Sequence, residues 1–443
     1  MTGLPLLRHA SLDAIVAYRN GQAIDVAQFL AEVSAVAGIL PSRGYVLNLC
    51  SDRYRFAVGL AAALTCKQVS LLPPNHTPEL IKQLLARYPD LYCLTDAASP
   101  HPAVDSVAYP ESVSGAQAVC TAPCFAPTQV AALVFTSGST GQPTPHVKTW
   151  GSLVRSTLAA GVRHGISAHP GAALLGTVPP QHMFGLESTV LLALQHGLAL
   201  HAGRPFYPAD ICACLEELPR PRILVTTPIH LRALLADAAE LPAADFLLCA
   251  TAPLAPQLAA EAETRFAAPL YEIYGCTEAG QVAVRRTVHT EVWGCLEGIG
   301  LRQDERGTWV KGGPVEIEAP LNDVIELRGP DRFLLHGRTA DLVNIAGKRT
   351  SLAHLNYQLN SIEGVRDGVF IMPEEEGGGV ARLMAFAVAP GLTAEEIMLA
   401  LRKRIDAAFL PRPLHLVDAL PRNATGKLPR AAVERLAAEL AVR

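Results

Sequence analysis

Residues 130–143 read Val-Ala-Ala-Leu-Val-Phe-Thr-Ser-Gly-Ser-Thr-Gly-Gln-Pro, an apolar run that leads directly into a loop of hydroxyls and glycines. The first six residues predict a buried strand. Gly138 and Gly141 allow the backbone to approach a ligand, and the loop's main-chain N–H groups and hydroxyls can donate to anionic oxygens. Neither the Gly-Lys-Ser/Thr of a P-loop nor the G-x-G-x-x-G of dinucleotide folds is present. We expect a phosphate-bearing ligand here, although such a stretch alone is also typical of a simple turn.

Short apolar runs alternate with Ala- and Leu-rich stretches over most of the chain. The runs that predict further strands are residues 45–49, 69–72, 172–178 and 223–226. Residues 159–165 and 231–239 predict helices that cover them. This alternation predicts an α/β fold, with a large N-terminal domain of layered α/β subdomains built on mainly parallel sheets.

The sequence changes in character after a Gly-Arg turn at residues 337–338. Strands at 369–372 and 383–388 and a helix at 393–409 predict a small α+β unit. We therefore predict a boundary near Ala340, with an N-terminal domain at residues 1–339 and a mobile C-terminal domain at 340–443.

The composition excludes several classes of protein. A chain of 443 residues is too long for one compact core. Lys and Arg number 37 against 41 Asp and Glu, so there is no basic excess and we expect no nucleic-acid partner. No run approaches the roughly 18 apolar residues of a transmembrane helix, and the first residues lack a secretory signal pattern. We expect a cytoplasmic protein with free thiols, because its ten cysteines form no C-x-x-C pair.

Four more segments follow the loop in a definite order. They are Pro180-Gln-His-Met-Phe-Gly185, Tyr274-Gly-Cys-Thr-Glu278, Asp323 with Gly337-Arg338 fourteen and fifteen residues later, and Asn423-Ala-Thr-Gly-Lys427. With Thr-Ser-Gly-Ser-Thr-Gly-x-Pro at 136–143, they resemble the signatures of the adenylate-forming superfamily. That superfamily includes acyl- and aryl-CoA synthetases, peptide-synthetase adenylation domains and luciferases. The resemblance spans about residues 130–430, and the part before it fits by general character.

The resemblance implies an AMP-forming ligase that uses ATP and Mg²⁺. A substrate carboxylate would attack the α-phosphate and release pyrophosphate, and the acyl group would pass to the phosphopantetheine thiol of CoA or of an acyl carrier protein. The residues implied to hold the β- and γ-phosphates are Thr136, Ser137, Gly138, Ser139, Thr140 and Gly141. Thr277 would bind the α-phosphate, and Glu278 would bind the magnesium ion, which prefers oxygen ligands.

The resemblance also implies a nucleoside site. The residues assigned to it are Ala252, Pro253, Tyr274, Gly275, Asp323 and Arg338. The aromatic ring of Tyr274 would stack on adenine. The Asp323 carboxylate would accept hydrogen bonds from the ribose hydroxyls, with Arg338 assisting.

Two further residues carry implied catalytic roles. Lys427 lies in a Gly- and Pro-rich loop and would stabilise the negative charge between the carboxylate and the α-phosphate. His182 matches the residue that gates the acid pocket, although a structural histidine remains the alternative. For the segment 274–278, the alternative is a strand-to-helix turn with Thr277 as the N-cap.

The sequence departs from the superfamily pattern after the loop. Thr144 stands where a lysine is usual, and Lys148 follows four residues later. Either Lys148 replaces that lysine or the lysine is dispensable.

The residues between 172 and 200 indicate which class of acid is activated. This stretch contains no Asp and one Glu, Glu187. Because an unpaired ammonium is costly to bury, the pattern favours an aryl or fatty acid over an amino acid. Two alternatives remain, a peptide-synthetase-like enzyme that activates an amino acid and a non-catalytic nucleotide sensor. The presence of Glu278 and Lys427 argues against the sensor.

Overall fold

The computed structural model describes residues 3–97, 103–111, 121–137, 143–236, 240–338, 342–345, 348–372, 383–422 and 428–441. The strands are β1 (Leu4–Pro5), β2 (Ile15–Arg19), β3 (Gln22–Asp25), β4 (Tyr45–Asn48), β5 (Val69–Leu72), β6 (Tyr92–Thr95), β7 (Ser106–Ala108), β8 (Cys124–Phe125), β9 (Val130–Ser137), β10 (Pro143–Thr149), β11 (Ala173–Gly176), β12 (Ala199–His201), β13 (Arg222–Thr226), β14 (Phe246–Cys249), β15 (Leu270–Cys276), β16 (Gly280–Arg285), β17 (Trp293–Cys295), β18 (Gly300–Asp304), β19 (Gly307–Gly312), β20 (Val315–Leu321), β21 (Asp323–Leu327), β22 (Arg332–Arg338), β23 (Leu342–Ile345), β24 (Lys348–Ser351), β25 (Asp367–Ile371), β26 (Met384–Val388) and β27 (Leu414–Leu416). The helices are α1 (Val26–Ile39), α2 (Arg53–Thr65), α3 (Pro78–Arg87), α4 (Trp150–Arg163), α5 (Met183–Gly185), α6 (Leu192–His196), α7 (Pro208–Glu217), α8 (Pro228–Ala236), α9 (Pro256–Phe266), α10 (Leu352–Asn360), α11 (Ala394–Arg402) and α12 (Arg430–Ala441). A π-helical segment, Leu186–Leu191, connects α5 to α6.

Two large sheets organise the chain before residue 340. The first has the strand order β10-β9-β5-β4-β6-β7 and is parallel except for β10. The second has the order β21-β22-β17-β16-β15-β14-β13-β11-β12-β2-β3. Its central strands, from β15 to β2 in this order, are parallel, and antiparallel strands flank them. The predicted α/β fold with mainly parallel sheets is therefore confirmed.

Apolar side chains cover both faces of the second sheet. On one face, Leu175, Leu224 and Leu247 pack with helices α7, α8 and α9. The other face belongs to a larger cluster that includes α2 and α4. Strands buried on both faces read as continuous apolar runs, which is why the runs at 172–178 and 223–226 predict β11 and β13.

The chain after residue 340 forms an α+β region. Strands β25, β26 and β27 make a sheet, and Phe370 and Leu355 lie in the cluster that packs it against α10 and α11. The predicted helix at 393–409 is wrong beyond Arg402, where α11 ends. Thr393 and Glu396 form a capping box that fixes the helix start. Beyond the end of α11, the Asp406 carboxylate accepts a hydrogen bond from the Ala408 amide and begins a separate 3₁₀ turn.

Arg53, the first residue of α2, connects this helix to the second sheet. Its side chain is fully buried, and its two terminal nitrogens donate to four backbone carbonyls. The acceptors are His201, Gly203, Gly176 and Val178, at distances of 2.8–3.1 Å. These carbonyls lie at and beyond the carboxyl ends of β11 and β12, so one guanidinium holds both strand ends.

None of the helices among the described residues is long and apolar enough to cross a membrane.

We predict that Arg53→Met destabilises the protein without changing its fold. The substitution leaves four buried carbonyls without their donors, which we expect to lower the free energy of unfolding by about 3 kcal/mol. Urea unfolding followed by circular dichroism measures this change. Arg43→Met is the matched control, because Arg43 forms an exposed ion pair with Asp105 and such pairs contribute less than about 1 kcal/mol. Equal losses in the two variants would contradict the role given to Arg53.

Candidate active site

Three loops that carry predicted site residues leave the second sheet at the same edge. Strands β11, β14 and β15 belong to its parallel part, so their carboxyl ends lie together. His182 follows β11, residues 250–254 follow β14, and Thr277 follows β15. In open α/β sheets, ligands bind at this edge of the strands.

The turn at Thr277 and Glu278 connects β15 to the antiparallel strand β16. Cys276 pairs with Gly280 across the turn, and a β-carbon on Gly275 would collide with the Gly280 carbonyl. Gly280 itself has φ +82°, a conformation that favours glycine. The alternative of a strand-to-helix turn with Thr277 as N-cap is wrong, because a strand and not a helix follows. The glycine of the Tyr-Gly-Cys-Thr-Glu segment permits this tight hairpin.

The start of the glycine-rich loop lies beside this turn. Strands β9 and β10 form the hairpin that carries the loop, with Thr136 opposite Thr144. The ring Nε2 of His146, on β10, lies 2.9 Å from the Thr136 hydroxyl and 4.0 Å from a carboxylate oxygen of Glu278. Burial lowers the pKa of His146, and Glu278 opposes that shift only in part. His146 therefore bridges the predicted phosphate loop and the predicted magnesium ligand, a link that the sequence motifs did not reveal.

Lys148 lies on the same strand and contacts the turn directly. Its Nζ donates to the Glu278 carbonyl at 2.8 Å, and the residue is only 5% exposed. Lys148 and Thr144 point to the same face of β10, but four residues of strand separate them by about 13 Å. Lys148 therefore does not occupy the usual position of the loop lysine.

Tyr274 and Asp323, both predicted to bind the nucleoside, contact each other. The Tyr274 hydroxyl donates to Asp323 at 2.6 Å, although the two residues are 49 positions apart. The Tyr274 ring packs beside Trp293 and Phe333. Asp323 opens β21, where its backbone pairs with that of Arg338 on β22.

Asp323 also lines a cavity of about 840 Å³. Its other lining residues include Trp309 of β19, Ile325 of β21, His336 of β22, and Ser351 and His354 at the start of α10. Asp323, predicted to bind ribose, therefore lies in the wall of a space formed by β19, β21, β22 and the start of α10.

The buried carboxylate of Glu272 holds the loop after β14. Thr251 has φ +84°, and Ala252 and Pro253 follow it at the surface. The amide of Leu254 donates to Glu272 at 3.1 Å, and Arg285 and Thr287 contact the second oxygen of Glu272. The role of Glu272 was not predicted from the sequence, because the residues around it show only the pattern of an ordinary strand.

His182 lies at the start of α5 and is half-buried. The preceding Gln181 donates to the Cys50 carbonyl at 2.9 Å, which ties the loop to the first sheet. A β-carbon on Gly185 would collide with the Pro179 carbonyl, so the glycine of this segment allows the close turn. His182 therefore lies in the loop after β11, at the carboxyl edge of the second sheet.

Several predicted residues lie wholly or partly outside the described part of the chain. Gly138, Ser139, Thr140, Gly141 and Lys427 are not among the described residues, and Ser137 and Arg338 are placed only by their strands. Arg422, five residues before Lys427, forms two hydrogen bonds with Asp367 at 2.7 and 2.8 Å. Arg232 of α8 contacts the same carboxylate at 3.1 Å. The segment that leads to Lys427 is thereby joined to a helix of the second sheet.

Glu278 fits the expected role at a magnesium ion. Its side chain is 25% exposed at the turn. Among the described residues, no group of three or more His, Cys, Asp or Glu could hold a metal ion on protein ligands alone. Magnesium keeps several waters and is usually bound by one or two carboxylates together with substrate phosphates. A single carboxylate beside a phosphate loop therefore suits an ion that arrives with a nucleotide.

Comparison with known proteins identifies the family of this chain. The family described as AMP-binding enzyme matches residues 44–303, more than half of the chain. A 4-coumarate–CoA ligase from Rhodobacter capsulatus is 29% identical over 304 residues, which cover 68% of this chain and 75% of that protein. A probable 2-succinylbenzoate–CoA ligase from Mycobacterium tuberculosis is 28% identical over 336 residues, 69% and 84% of the two chains.

Solved structures share the fold over nearly the whole chain. ATP-bound MatB from Rhodopseudomonas palustris has a TM-score of 0.82 at 16% identity, with 98% of this chain and 97% of that chain covered. The o-succinylbenzoate CoA synthetase MenE from Bacillus subtilis, in complex with its acyl-adenylate intermediate, has a TM-score of 0.79 at 18% identity, with 95% of each covered. The chain thus belongs to the AMP-binding enzyme family, within the adenylate-forming superfamily that its five motifs resemble.

Proposed function

We propose that the protein is an ATP-dependent ligase that joins a carboxylic acid, aryl or aliphatic, to a phosphopantetheine thiol through an acyl-adenylate. The observation that carries this proposal is the placement of the Thr277–Glu278 turn. On one side of it lie His146 and the start of the phosphate loop, and on the other lies Tyr274, which contacts Asp323 and stands two residues before the end of β15. Two curated relatives are ligases of 4-coumarate and 2-succinylbenzoate with CoA, which supports the same class of reaction.

In the first step, a carboxylate oxygen of the acid attacks the α-phosphorus of ATP. The bond to the bridging oxygen of the β-phosphate breaks, and pyrophosphate leaves with that electron pair. Thr277 donates to an α-phosphate oxygen, and residues 136–141 hold the β- and γ-phosphates. A magnesium ion on Glu278 would neutralise phosphate charge. Lys427 places a positive charge beside the carboxylate and the α-phosphate, whose negative charges come together in the transition state.

In the second step, the thiol sulfur attacks the acyl carbon. The thiol loses its proton, and AMP leaves with the electrons of the anhydride bond. His182, at the mouth of the loop after β11, would move between the two steps to open the path for the thiol. CoA is the acceptor that the relatives' names favour, and the thiol of a carrier protein offers the same chemistry.

The position of Glu187 favours an acid without an ammonium group. Glu187 is 1% exposed, and its Oε1 accepts a hydrogen bond from Ser156 at 2.6 Å. The acidic residue of this stretch is therefore committed to the protein interior and does not pair with a substrate ammonium. An amino-acid substrate is the less favoured alternative, and the aryl acids of the relatives are the first to test.

We also propose that residues 1–339 and 340–443 act as two domains. The side chain of Arg232 and the Asp367–Arg422 pair connect them. Lys427 belongs to the smaller unit, so a rotation of that unit would bring the lysine to the phosphates or withdraw it.

We predict that the enzyme catalyses acid-dependent exchange of labelled pyrophosphate into ATP. A panel of hydroxycinnamates, benzoates, fatty acids and amino acids identifies the acid class, and mass spectrometry of the product with CoA or phosphopantetheinylated carrier protein identifies the acceptor. We expect exchange with aryl or fatty acids. Exchange with amino acids alone would contradict the proposed acid class, and no exchange with any acid would contradict the reaction.

We predict that Lys427→Ala separates the two half-reactions. Removal of the cation should reduce acyl-AMP formation at least about 100-fold, because charge stabilisation in a transition state contributes that much. The rate of thioester formation from synthetic acyl-AMP should stay within twofold of wild type. Lys403→Ala, at an exposed lysine of the same unit, is the control and should leave both rates unchanged. Equal losses in both steps would show that Lys427 does not act in adenylation specifically.

We predict that Asp323→Asn weakens nucleotide binding. A hydrogen bond to a charged group contributes about 1.5–3 kcal/mol, so the KM for ATP should rise about tenfold or more. Asp304→Asn is a matched control, since Asp304 lines the same cavity but is paired with Arg302 at the surface. An unchanged KM for ATP in Asp323→Asn would remove Asp323 from the nucleoside site.

A further inference from the structure

The ammonium group of Lys148 is buried beneath the turn that holds Glu278. The residue is 5% exposed, and its Nζ donates to the Glu278 main-chain carbonyl at 2.8 Å. Burying an ammonium is unfavourable unless partners compensate. Burial lowers the pKa of Lys148, while the carboxyl groups of Glu187 and Glu278 act in the opposite direction. Because of this cost, packing alone does not account for a buried lysine at this position.

The other end of the turn rests on the carboxyl group of Glu187. Its Oε1 accepts a hydrogen bond from Ser156 at 2.6 Å, and the residue is 1% exposed. A β-carbon added to Gly280 would lie 2.9 Å from Oε1, so the hairpin backbone packs directly on this carboxyl group. Glu187 lies in the π-helical segment 186–191, a rare element that often marks functional sites.

Together the two side chains hold the turn from both ends. The Lys148 ammonium donates to the Glu278 carbonyl, and the Glu187 carboxyl group packs against the backbone of Gly280. The turn residues 277–280 include both predicted phosphate-side groups, Thr277 and Glu278. Because Lys148 is on β10 and Glu187 on the π-helical segment, the turn is fixed to the phosphate-loop hairpin and to the helix beyond the His182 loop.

A direct phosphate contact does not explain Lys148. The residue is 5% exposed, one hydrogen of its Nζ is donated to a main-chain carbonyl, and its position on β10 is about 13 Å from that of Thr144. The Lys148 ammonium donates to the main-chain carbonyl of Glu278 itself, which indicates that Lys148 acts on this turn.

We propose that Lys148 is a positioning residue for adenylation, which fixes the Thr277–Glu278 turn so that the hydroxyl and carboxylate face the nucleotide phosphates. Glu187 supports the same turn from its other end. The inference rests on the proposed function for its catalytic consequence, whereas the fixed turn is a property of the free protein.

Hydrogen–deuterium exchange of the free protein tests the fixed turn without reference to any activity. In Lys148→Met, which keeps the length and removes the donor, we expect peptides that cover residues 276–282 to exchange at least about tenfold faster. Peptides of the sheet interior, residues 222–226 and 246–249, should exchange as in wild type. Val147→Met, at the neighbouring 58%-exposed residue, is the control and should change neither region.

Kinetics then test the catalytic consequence. Misplacement of a catalytic group by about 1 Å can reduce a rate on the order of 100-fold, so we expect kcat for acyl-AMP formation to fall between about 10- and 100-fold in Lys148→Met. The KM for the acid should stay within twofold. If wild type itself forms no acyl-AMP, the proposed function fails while the exchange result still decides the role of Lys148.

Two outcomes would overturn the inference. One is wild-type exchange at residues 276–282 in Lys148→Met. The other is uniform acceleration across the sheet, which would mean that Lys148 only stabilises the fold. If Lys148→Met does not fold, Glu187→Gln replaces it, because the amide keeps the shape and an acceptor for Ser156 but loses the charge opposite Lys148. We expect that variant to loosen the same turn selectively, and unchanged exchange there would equally contradict the proposal.

Discussion

Parallel strands that end together impose the main constraint on this protein. Strands β11, β13, β14 and β15 end at one edge of the second sheet, so three loops far apart in sequence meet there. Arg53 secures the same edge, because its buried guanidinium holds carbonyls at the ends of β11 and β12 and begins the helix that also contacts the first sheet. The phosphate-loop hairpin of the first sheet therefore contacts the Thr277–Glu278 turn of the second sheet, and the site forms where the two sheets meet.

Much of this arrangement was predictable from sequence, for identifiable physical reasons. Strands buried on both faces are continuous apolar runs, so β4, β5 and β13 were recognised almost to their ends. The motif glycines report close backbone approaches, and the structure explains Gly185 and Gly275 in those terms. The contact between Tyr274 and Asp323 agrees with the nucleoside site that the motifs implied. The roles of all the implied site residues, including Lys427 and residues 138–141, stay predictions.

The supporting residues were not predictable, because their function depends on contacts between distant segments. His146, Lys148 and Glu272 lie in ordinary strands, and their partners are 132, 130 and 18 residues away. One local pattern misled. The predicted helix extends to residue 409, whereas α11 ends at Arg402 and the Asp406 side chain caps a separate 3₁₀ turn. At Thr277 a hairpin turn forms, so the alternative of a helix N-cap is wrong.

The central claim is that an acid oxygen attacks the α-phosphorus of ATP at the Thr277–Glu278 turn. The most direct test is to supply the accepted acid with ¹⁸O in both carboxylate oxygens, together with ATP and the thiol, and to weigh the released nucleotide by mass spectrometry. The account predicts AMP that carries one ¹⁸O atom for each thioester formed. Unlabelled AMP, or ADP with ¹⁸O-labelled phosphate, would contradict it.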